Sequence, residues 1–208
     1  MAKKNRLVFD FDDTLADGQV FCGQTMAQTV IFFESQIDPR SIIRHHYSER
    51  GRSIVELYRS AIKKFNLKTP IDELLQKDAE IMAGQYRRIS LFEGAKDSLQ
   101  FLKEKDKFLY ICTNRSLKSL IPLLKHHQVW GFFDEVISCL DEGFAKPHPK
   151  CLIKLIKKTN QNKKSFLYLG DSQKDQLFAQ NAGVDFLIFN QYQNGKKFFV
   201  NFSRAFLG

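Results

Sequence analysis

The segment LVFDFDDTLADG, residues 7–18, places Asp10, Asp12 and Asp13 directly after a short apolar run. A run of this kind is typical of a strand that is buried on both faces of a parallel sheet. Crowded carboxylates repel one another and resist ionisation unless a cation lies among them, and hard oxygen ligands suit Mg²⁺. The spacing therefore predicts metal-assisted chemistry at the end of a buried strand.

Three later segments also carry polar residues directly after an apolar run. Thr113 and Asn114 follow FLYIC, Lys146 lies in the loop GFAKPHP, and Asp171 and Asp175 follow FLYLG. Ligands of an open parallel sheet bind beyond the carboxyl ends of its strands, so these side chains are expected to converge at one edge. Carboxylates, a hydroxyl and an ammonium group suit phosphoryl transfer, in which catalysis consists mainly of positioning and charge neutralisation.

Each of these motifs, taken alone, also has an ordinary interpretation. A D-x-D, a TN or a GDSQKD sequence is common in turns and helix caps, and a lone lysine in a loop is usually solvated. The combination of all four in this order, at successive strand ends, favours the functional interpretation.

The elements that would position these residues alternate along most of the chain. Strand-like runs are RLVFDFD, FLYICTN, SFLYLGDS and VDFLIFN, with EVISC as a short candidate. Helical periodicity covers residues 95–104, 117–127, 149–158 and 173–182. The alternation predicts an α/β fold with a doubly wound, Rossmann-like parallel sheet.

One long segment interrupts the alternation with helical pattern alone. Its candidate helices are residues 22–36, 40–48, 53–65 and 70–88, and Asp38 and Thr69 are predicted caps before Pro39 and Pro70. The predicted organisation is therefore an α/β core, residues 1–18 and 89–208, with a helical domain, residues 19–88, inserted after the first strand.

Composition indicates a globular protein, with 43% hydrophobic and 26% charged residues in a chain of 208. No apolar run approaches the roughly 18 residues of a membrane span. The start MAKKNRLVFDF lacks the apolar stretch of a signal peptide, so we expect a cytoplasmic protein without membrane association.

The four cysteines show neither C-x-x-C pairs nor zinc-like spacing, which predicts reduced thiols, with Cys112 buried on a strand. The histidines other than His148 are expected at the surface.

A formal charge of +9 is compatible with nucleic acid, an anionic membrane surface or an anionic small substrate. The lysines form scattered pairs without a long basic block, a pattern typical of solvated surface. We therefore expect no nucleic-acid partner.

These motifs together resemble those of the haloacid dehalogenase-like hydrolases, most closely the phosphoglycolate phosphatase-like branch with a helical cap. DFDDTL resembles the first motif, TN the second, KPHP the third, and GDSQKD followed by AQNAG the fourth. LFEGAKDSLQFLK and WGFFDEVIS extend the resemblance over nearly the whole chain. It implies that the helical segment is a C1 cap, which closes over the site and selects the substrate.

The resemblance also implies roles for residues around the reacting phosphorus. Asp10 would attack in line and form an aspartyl-phosphate, and Asp12 would protonate the leaving oxygen and later activate water. Mg²⁺ would bind the Asp10 carboxylate, the Asp12 carbonyl and Asp171, with Asp175 a ligand or a support for the ligands.

The resemblance implies that further residues bind the substrate and its phosphate. Thr113, Asn114 and Phe11 would hold the phosphoryl group, and Lys146 would neutralise charge on nucleophile and phosphate. In ERGRSIVEL, Arg52 is the candidate for contacting the leaving group, and a surface arginine near a helix start is the equally weighted alternative.

The sequence departs from the family pattern at two positions. Asp13 stands where glycine is frequent, and Glu93 stands where proline often precedes a glycine, here Gly94. Aspartate tolerates unusual turn dihedrals, so Asp13 is expected to alter the local backbone or charge without removing activity.

The predicted function is a Mg²⁺-dependent phosphatase acting on a small phosphorylated metabolite, as a monomer or homodimer. Within the family, a phosphomutase or a phosphonate hydrolase remains an alternative. From a different class, a phospho-receiver or regulatory binding module shares the clustered aspartates, threonine and lysine, but has little use for Asp12 or a helical insertion. The aromatic tail KKFFVNFSRAFLG is expected to pack on a sheet edge or contact a partner.

Overall fold

A computed structural model describes residues 4–49 and 52–189, so the predicted role of the aromatic tail, residues 196–208, lies outside the described residues. The strands are β1 (Arg6–Phe9), β2 (Ala16–Asp17), β3 (Ser90–Leu91), β4 (Phe108–Thr113), β5 (Glu135–Ser138), β6 (Phe166–Gly170) and β7 (Asp185–Ile188). The α-helices are α1 (Gln19–Phe33), α2 (Pro39–Ser48), α3 (Ile54–Phe65), α4 (Ile71–Gln85), α5 (Ala95–Glu104), α6 (Leu117–His126), α7 (Lys150–Thr159) and α8 (Gln173–Ala182).

Five strands form one parallel sheet in the order β5-β4-β1-β6-β7. The central strand β1 pairs with β4 and β6 in register, so that Leu7 lies beside Leu109 and Leu167. Every residue of β1 is buried, which explains its continuous apolar run. The predicted α/β fold with a parallel sheet is confirmed, including the short strand from EVISC.

One face of this sheet packs against α7 and α8. Side chains that alternate along the strands point to this face, among them Val8, Tyr110 and Tyr168, and they meet Leu155 of α7 and Phe178 of α8. Burying each such apolar side chain contributes about 1.5–3 kcal/mol, so this layer holds the carboxyl ends of the strands in fixed positions. Cys112, Cys139 and Cys151 are buried in the same layer as free thiols, as predicted for Cys112.

The described residues divide into two compact units. The core unit comprises residues 4–17 and 90–189, and the helical unit comprises residues 18–49 and 52–89. The antiparallel pair β2–β3 joins Ala16 to Leu91 in the core unit, where the chain leaves and returns. Strands of two residues are too short to produce an alternating pattern, so the sequence pattern did not reveal them.

The helical unit is built from α1 to α4 around its own apolar core. Met26, Val30 and Leu74 are fully buried there, and the buried Tyr58 hydroxyl donates to Asp78 Oδ1 at 2.7 Å. Asp38 accepts hydrogen bonds from the first backbone N–H groups of α2, which confirms it as a helix cap. Across the described residues, no helix is long and apolar enough to cross a membrane.

The prediction that the histidines other than His148 lie at the surface is wrong for His45 and His46, which are both buried on α2. The His45 ring packs edge-on against Phe65, with ring centroids 5.5 Å apart. The His46 ring lies beside Gly23 of α1, where the missing side chain leaves room for it. The sequence shows two adjacent polar residues, and only the packing of α1 and α3 against α2 buries both.

Glu34 connects the end of α1 to the start of α4. Its Oε1 accepts hydrogen bonds from the backbone N–H of Lys68, and from the N–H and hydroxyl of Thr69, both at 3.1 Å. Thr69, predicted as a helix cap, therefore donates to a distant carboxylate, and α4 begins at Ile71. The Lys68 hydrogen bond is the largest cause that holds the pKa of Glu34 below its ordinary value.

We expect Glu34→Ala to lower the free energy of unfolding by about 1–3 kcal/mol, because it leaves partly buried backbone donors without an acceptor. A carboxyl with a lowered folded-state pKa stabilises the fold above its unfolded pKa, so this contribution is lost as the pH falls below about 4.5. Urea unfolding at pH 7 and pH 4 measures both effects. Glu80→Ala removes an exposed carboxylate of α4 as a control, and equal losses in the two variants would contradict the assignment.

Candidate active site

Asp10 follows the central strand directly, and its backbone N–H continues the sheet by donating to the carbonyl of Leu169 at 2.9 Å. The chain then turns sharply, because the carbonyl of Phe11 accepts from the N–H groups of Leu15 and Ala16. Both Asp10 and the Phe11 side chain are buried. The turn places the acidic segment at the carboxyl edge of the sheet.

Asp13 has a backbone φ of +60°, in the left-handed region, and its N–H donates to the carbonyl of Ala16 at 2.8 Å. Glycine adopts this conformation without cost, and aspartate adopts it more readily than most residues do. The departure from glycine at this position is therefore explained by the backbone of the turn.

Lys146 lies at the centre of a buried polar network. Its Nζ is 2.8 Å from Asp10 Oδ2 and 2.6 Å from Asp175 Oδ1, and it donates to the Tyr168 hydroxyl at 3.3 Å. Burial lowers the pKa of Lys146, but the two carboxylates outweigh it and raise that pKa above its ordinary value. Lys146 is therefore a permanent positive charge beside the Asp10 carboxylate.

Both oxygens of Asp175 are engaged by protein groups. Oδ1 accepts from Lys146 and from the Tyr168 hydroxyl, and Oδ2 accepts from the N–H and hydroxyl of Ser172. The contact with Ser172 is reciprocal and forms a capping box at the start of α8. These contacts fit Asp175 as a residue that anchors Lys146 and supports the site.

Asp171 directly follows β6, and among the described residues its carboxylate forms no hydrogen bond or ion pair. Burial, with repulsion from Asp175 and Asp10, raises the pKa of Asp171 to about 8. Burial also raises the pKa of Asp10 to about 6, against the opposite effect of Lys146. Both carboxyl groups thus lack the further positive charge that would make ionisation favourable.

Asp10, Asp171 and Asp175 offer oxygen atoms that all lie within 4.8 Å of one another. When ionised, the three carboxylates carry three negative charges against the single positive charge of Lys146. A divalent cation with oxygen ligands matches this excess in charge and in chemistry, so the residues fit a metal such as Mg²⁺. The predicted acidic cluster is thereby assembled from the segments that follow β1 and β6.

The last residue of β4 and the residues after it connect this cluster to the Lys146 loop. Thr113 is buried, and its Oγ1 accepts from the backbone N–H of Arg115 at 3.2 Å. The Asn114 side chain accepts from the backbone N–H of Lys146 at 2.8 Å. Thr113 and Asn114 thus lie at the predicted edge, and Asn114 fixes the loop that carries Lys146.

Arg115 was not singled out by the sequence motifs, yet it forms an ion pair with Asp12. Its Nε donates to Asp12 Oδ2 at 2.9 Å, and its Nη2 donates to Oδ1. The only signal in the sequence was its place directly after the TN motif. Asp12 and Arg115 are 103 residues apart, so a local pattern does not reveal the pair.

Two other predicted residues have different surroundings. The backbone N–H of Phe11 donates to Asp10 Oδ1 at 2.8 Å, so its backbone lies at the carboxylate. Arg52 belongs to the helical unit, where its Nε is 2.7 Å from Glu49 Oε2 and its side chain is 45% exposed. It directly precedes Ser53, the cap of α3.

Comparisons with known proteins agree with this architecture. The family model described as haloacid dehalogenase-like hydrolase matches residues 7–189. Phosphoglycolate phosphatase from Aliivibrio fischeri is 27% identical over 200 residues, covering 91% of this chain and 86% of that protein. Phosphoglycolate phosphatase from Pasteurella multocida is 33% identical over 93 residues, and this match spans 45% of the chain and 42% of that protein.

A solved structure shares the fold over most of its length. The haloacid dehalogenase superfamily hydrolase of subfamily IA from Geobacter sulfurreducens aligns with a TM-score of 0.68 and 23% identity, covering 88% of this chain and 86% of that one. The resemblance derived from the motifs is confirmed by the family model, which covers far more than half of the sequence. This chain belongs to the haloacid dehalogenase-like hydrolases.

Proposed function

We propose that this hydrolase is a Mg²⁺-dependent phosphatase, which cleaves a small phosphate monoester through an aspartyl-phosphate on Asp10. The observation that carries the proposal is the Asp10 carboxylate itself. It lies at the end of the central strand with Lys146 Nζ 2.8 Å from one oxygen, beside two further carboxylates. The phosphoglycolate phosphatases among its relatives support the same chemistry.

In the first step, a carboxylate oxygen of Asp10 attacks phosphorus, and the bond from phosphorus to the leaving oxygen breaks. Lys146 is buried and remains charged, so it offsets negative charge on the nucleophile and on the phosphoryl oxygens throughout the transfer. The Thr113 hydroxyl and the backbone around Asn114 and Phe11 would orient the phosphoryl group. Positioning of this kind accounts for most of the catalysis that phosphoryl transfer requires.

Asp12 would handle the protons of both steps. It gives a proton to the leaving oxygen in the first step, and it takes one from the water that attacks the aspartyl-phosphate in the second. This water forms a new bond to phosphorus, and the bond from Asp10 to phosphorus breaks. Positioned proton transfer of this kind typically contributes about 10²- to 10⁴-fold.

Asp10, the carbonyl of Asp12 and Asp171 would hold Mg²⁺, and Asp175 would support them through Lys146 and Ser172. When bound, the ion supplies charge that stabilises the phosphoryl oxygens in the transition state. Asp171 suits the role of ligand because its carboxylate is not engaged by other described side chains, whereas both oxygens of Asp175 are.

The core unit and the helical unit would have separate roles in the reaction. The core unit carries the proposed chemistry, and the helical unit would act as a cap that excludes water and selects the substrate, with Arg52 contacting the leaving group. A small phosphorylated metabolite such as phosphoglycolate, a cytoplasmic location and a monomer or homodimer complete the proposal.

Release of inorganic phosphate, measured on a panel of phosphoglycolate, sugar phosphates and nucleotides with an aryl phosphate as reference, tests this function. We expect Mg²⁺-dependent turnover of the aryl phosphate and a preference for one class of metabolite. A stable phosphoprotein without turnover would favour the receiver module. Transfer of phosphate within a sugar phosphate would favour the mutase, and cleavage of a carbon–phosphorus bond would favour the phosphonate hydrolase.

Mg²⁺ binding is expected to weaken as the pH falls from 8 to 6. The metal-free Asp171 has a raised pKa of about 8, so below that pH a proton must leave before the carboxylate can bind a cation. With one proton displaced, the apparent dissociation constant rises about tenfold for each pH unit below 8. Calorimetric titration of the metal-free protein at pH 6, 7 and 8 measures the dependence. Binding that is equally tight at all three values would contradict the assignment of Asp171.

A further inference from the structure

Arg115 is a nearly buried charge that none of the proposed steps yet uses. Its side chain is only 6% exposed, which is rare for arginine unless it is paired. The pair it forms is two-pronged, because Nε and Nη2 donate to different oxygens of the Asp12 carboxylate. Planar contacts of this type fix the orientation of a carboxylate as well as neutralise it.

Contacts at the backbone and at the guanidinium group hold Arg115 in place. The Arg115 backbone N–H donates to Thr113 Oγ1, and its Cζ lies 5.8 Å from the centroid of the Phe11 ring. These two neighbours belong to the segments at the ends of β4 and β1. Arg115 therefore forms a fixed connection between the two strand ends from which the proposed phosphate-binding and proton-transferring groups project.

The Asp12 side chain is less constrained by burial than the other acidic side chains of the site. Its side chain is 32% exposed, whereas those of Asp10 and Asp175 are almost fully buried. A partly exposed carboxylate samples several rotamers, and proton transfer is sensitive to displacements of about 1 Å. A rigid partner that donates to both oxygens removes this freedom. Each carboxylate oxygen keeps a second lone pair that can take up a proton.

We propose that Arg115 is a positioning residue for Asp12, which holds the carboxylate in the orientation from which it serves the leaving oxygen and the attacking water. The inference rests on the proposed phosphatase function and adds a residue to it. It places Arg115 outside the groups that contact the transferred phosphoryl group.

Positioning of Asp12 affects the two steps of the reaction differently, which distinguishes it from direct substrate binding or a purely structural role. With p-nitrophenyl phosphate, the leaving group departs without a proton, so formation of the aspartyl-phosphate depends little on Asp12. Hydrolysis of the aspartyl-phosphate still requires Asp12, because the attacking water must give up a proton. A displaced Asp12 therefore slows the second step selectively, so kcat and KM fall together while kcat/KM is preserved.

The test is rapid-quench and steady-state kinetics of Arg115→Met. With p-nitrophenyl phosphate we expect a burst approaching one nitrophenolate per protein, then a kcat lowered by roughly 10²-fold, with kcat/KM within about threefold of the wild type. With 2-phosphoglycolate, whose alkoxide needs a proton, kcat/KM falls as well. Arg115→Lys, which keeps the positive charge but donates from a single nitrogen, should recover part of kcat.

Lys118→Met removes an exposed positive charge from α6 nearby and serves as the control, with kinetics expected to match the wild type. A raised KM with lower kcat/KM on the aryl phosphate would overturn the proposal in favour of direct substrate binding. A reduced burst amplitude with unchanged KM would overturn it in favour of a purely structural role. Absence of turnover in the wild-type protein would refute the phosphatase function, and the role of Arg115 with it.

Discussion

Asp10→Asn is expected to abolish phosphatase activity while the protein stays folded. Asparagine has the shape of aspartate but is a poor nucleophile towards phosphorus, and it forms no acyl-phosphate. Loss of a covalent nucleophile typically costs a factor of roughly 10⁴ or more in kcat. Initial rates of phosphate release at saturating Mg²⁺ measure the effect.

The thermal stability of the same variant separates loss of catalytic activity from loss of the folded structure. Burial raises the pKa of Asp10 from its ordinary value of 3.8 to about 6. The protonated Asp10 carboxyl therefore makes its full contribution to the stability of the fold below pH 3.8, and this contribution is lost as the pH rises through 6. At pH 8 in the absence of metal, ionised Asp10 therefore opposes folding, and the neutral amide of the variant carries no such cost. We expect the variant to melt at or above the wild-type Tm under these conditions. Activity near that of the wild type would remove Asp10 from the mechanism.

Lys146→Met is expected to damage both activity and stability. The substitution leaves Asp10 and Asp175 buried without the ammonium group that lies within 2.8 Å of each. Breaking a buried ion pair by removing one partner typically costs about 3–5 kcal/mol. Loss of the charge beside the transferred group is expected to lower kcat by roughly 10²- to 10³-fold, the scale of other electrostatic contacts to a transition state.

The stability loss should depend on pH in a defined direction. At pH 5, below the raised pKa of Asp10 and of Asp171, protonation relieves part of the repulsion, so the deficit shrinks relative to pH 8. Urea unfolding of the metal-free variant at the two pH values measures this, with Lys154→Met, an exposed lysine of α7, as the control. A variant as stable as the control at pH 8 would contradict the account of the buried network.

Local sequence patterns predicted the parts of the fold that depend on local physics. The strands β1 and β6 were visible because continuous burial requires continuous apolar runs, and α5 and α8 begin and end where the periodicity indicated. The convergence of Asp10, Lys146 and Asp171 follows from the rule that strands of a parallel sheet end at one edge.

Other features depend on contacts between distant segments and were not predicted. The Asp12–Arg115 pair spans 103 residues, and the Glu34–Thr69 contact joins the end of one helix to the start of another. His45 is buried because α3 packs its Phe65 ring against it, which no property of α2 alone indicates. The positive φ of Asp13, by contrast, agrees with the unusual turn dihedral that the departure from glycine indicated.

The central claim is that catalysis passes through an acyl-phosphate on Asp10, and trapping this intermediate tests it most directly. Quenching the wild-type protein during turnover of an aryl phosphate and treating it with borohydride reduces an aspartyl-phosphate to homoserine, which peptide mass spectrometry locates. We expect homoserine in place of Asp10, dependent on Mg²⁺ and substrate and absent from Asp10→Asn. Turnover with unmodified Asp10, or with the modification on another residue, would contradict it.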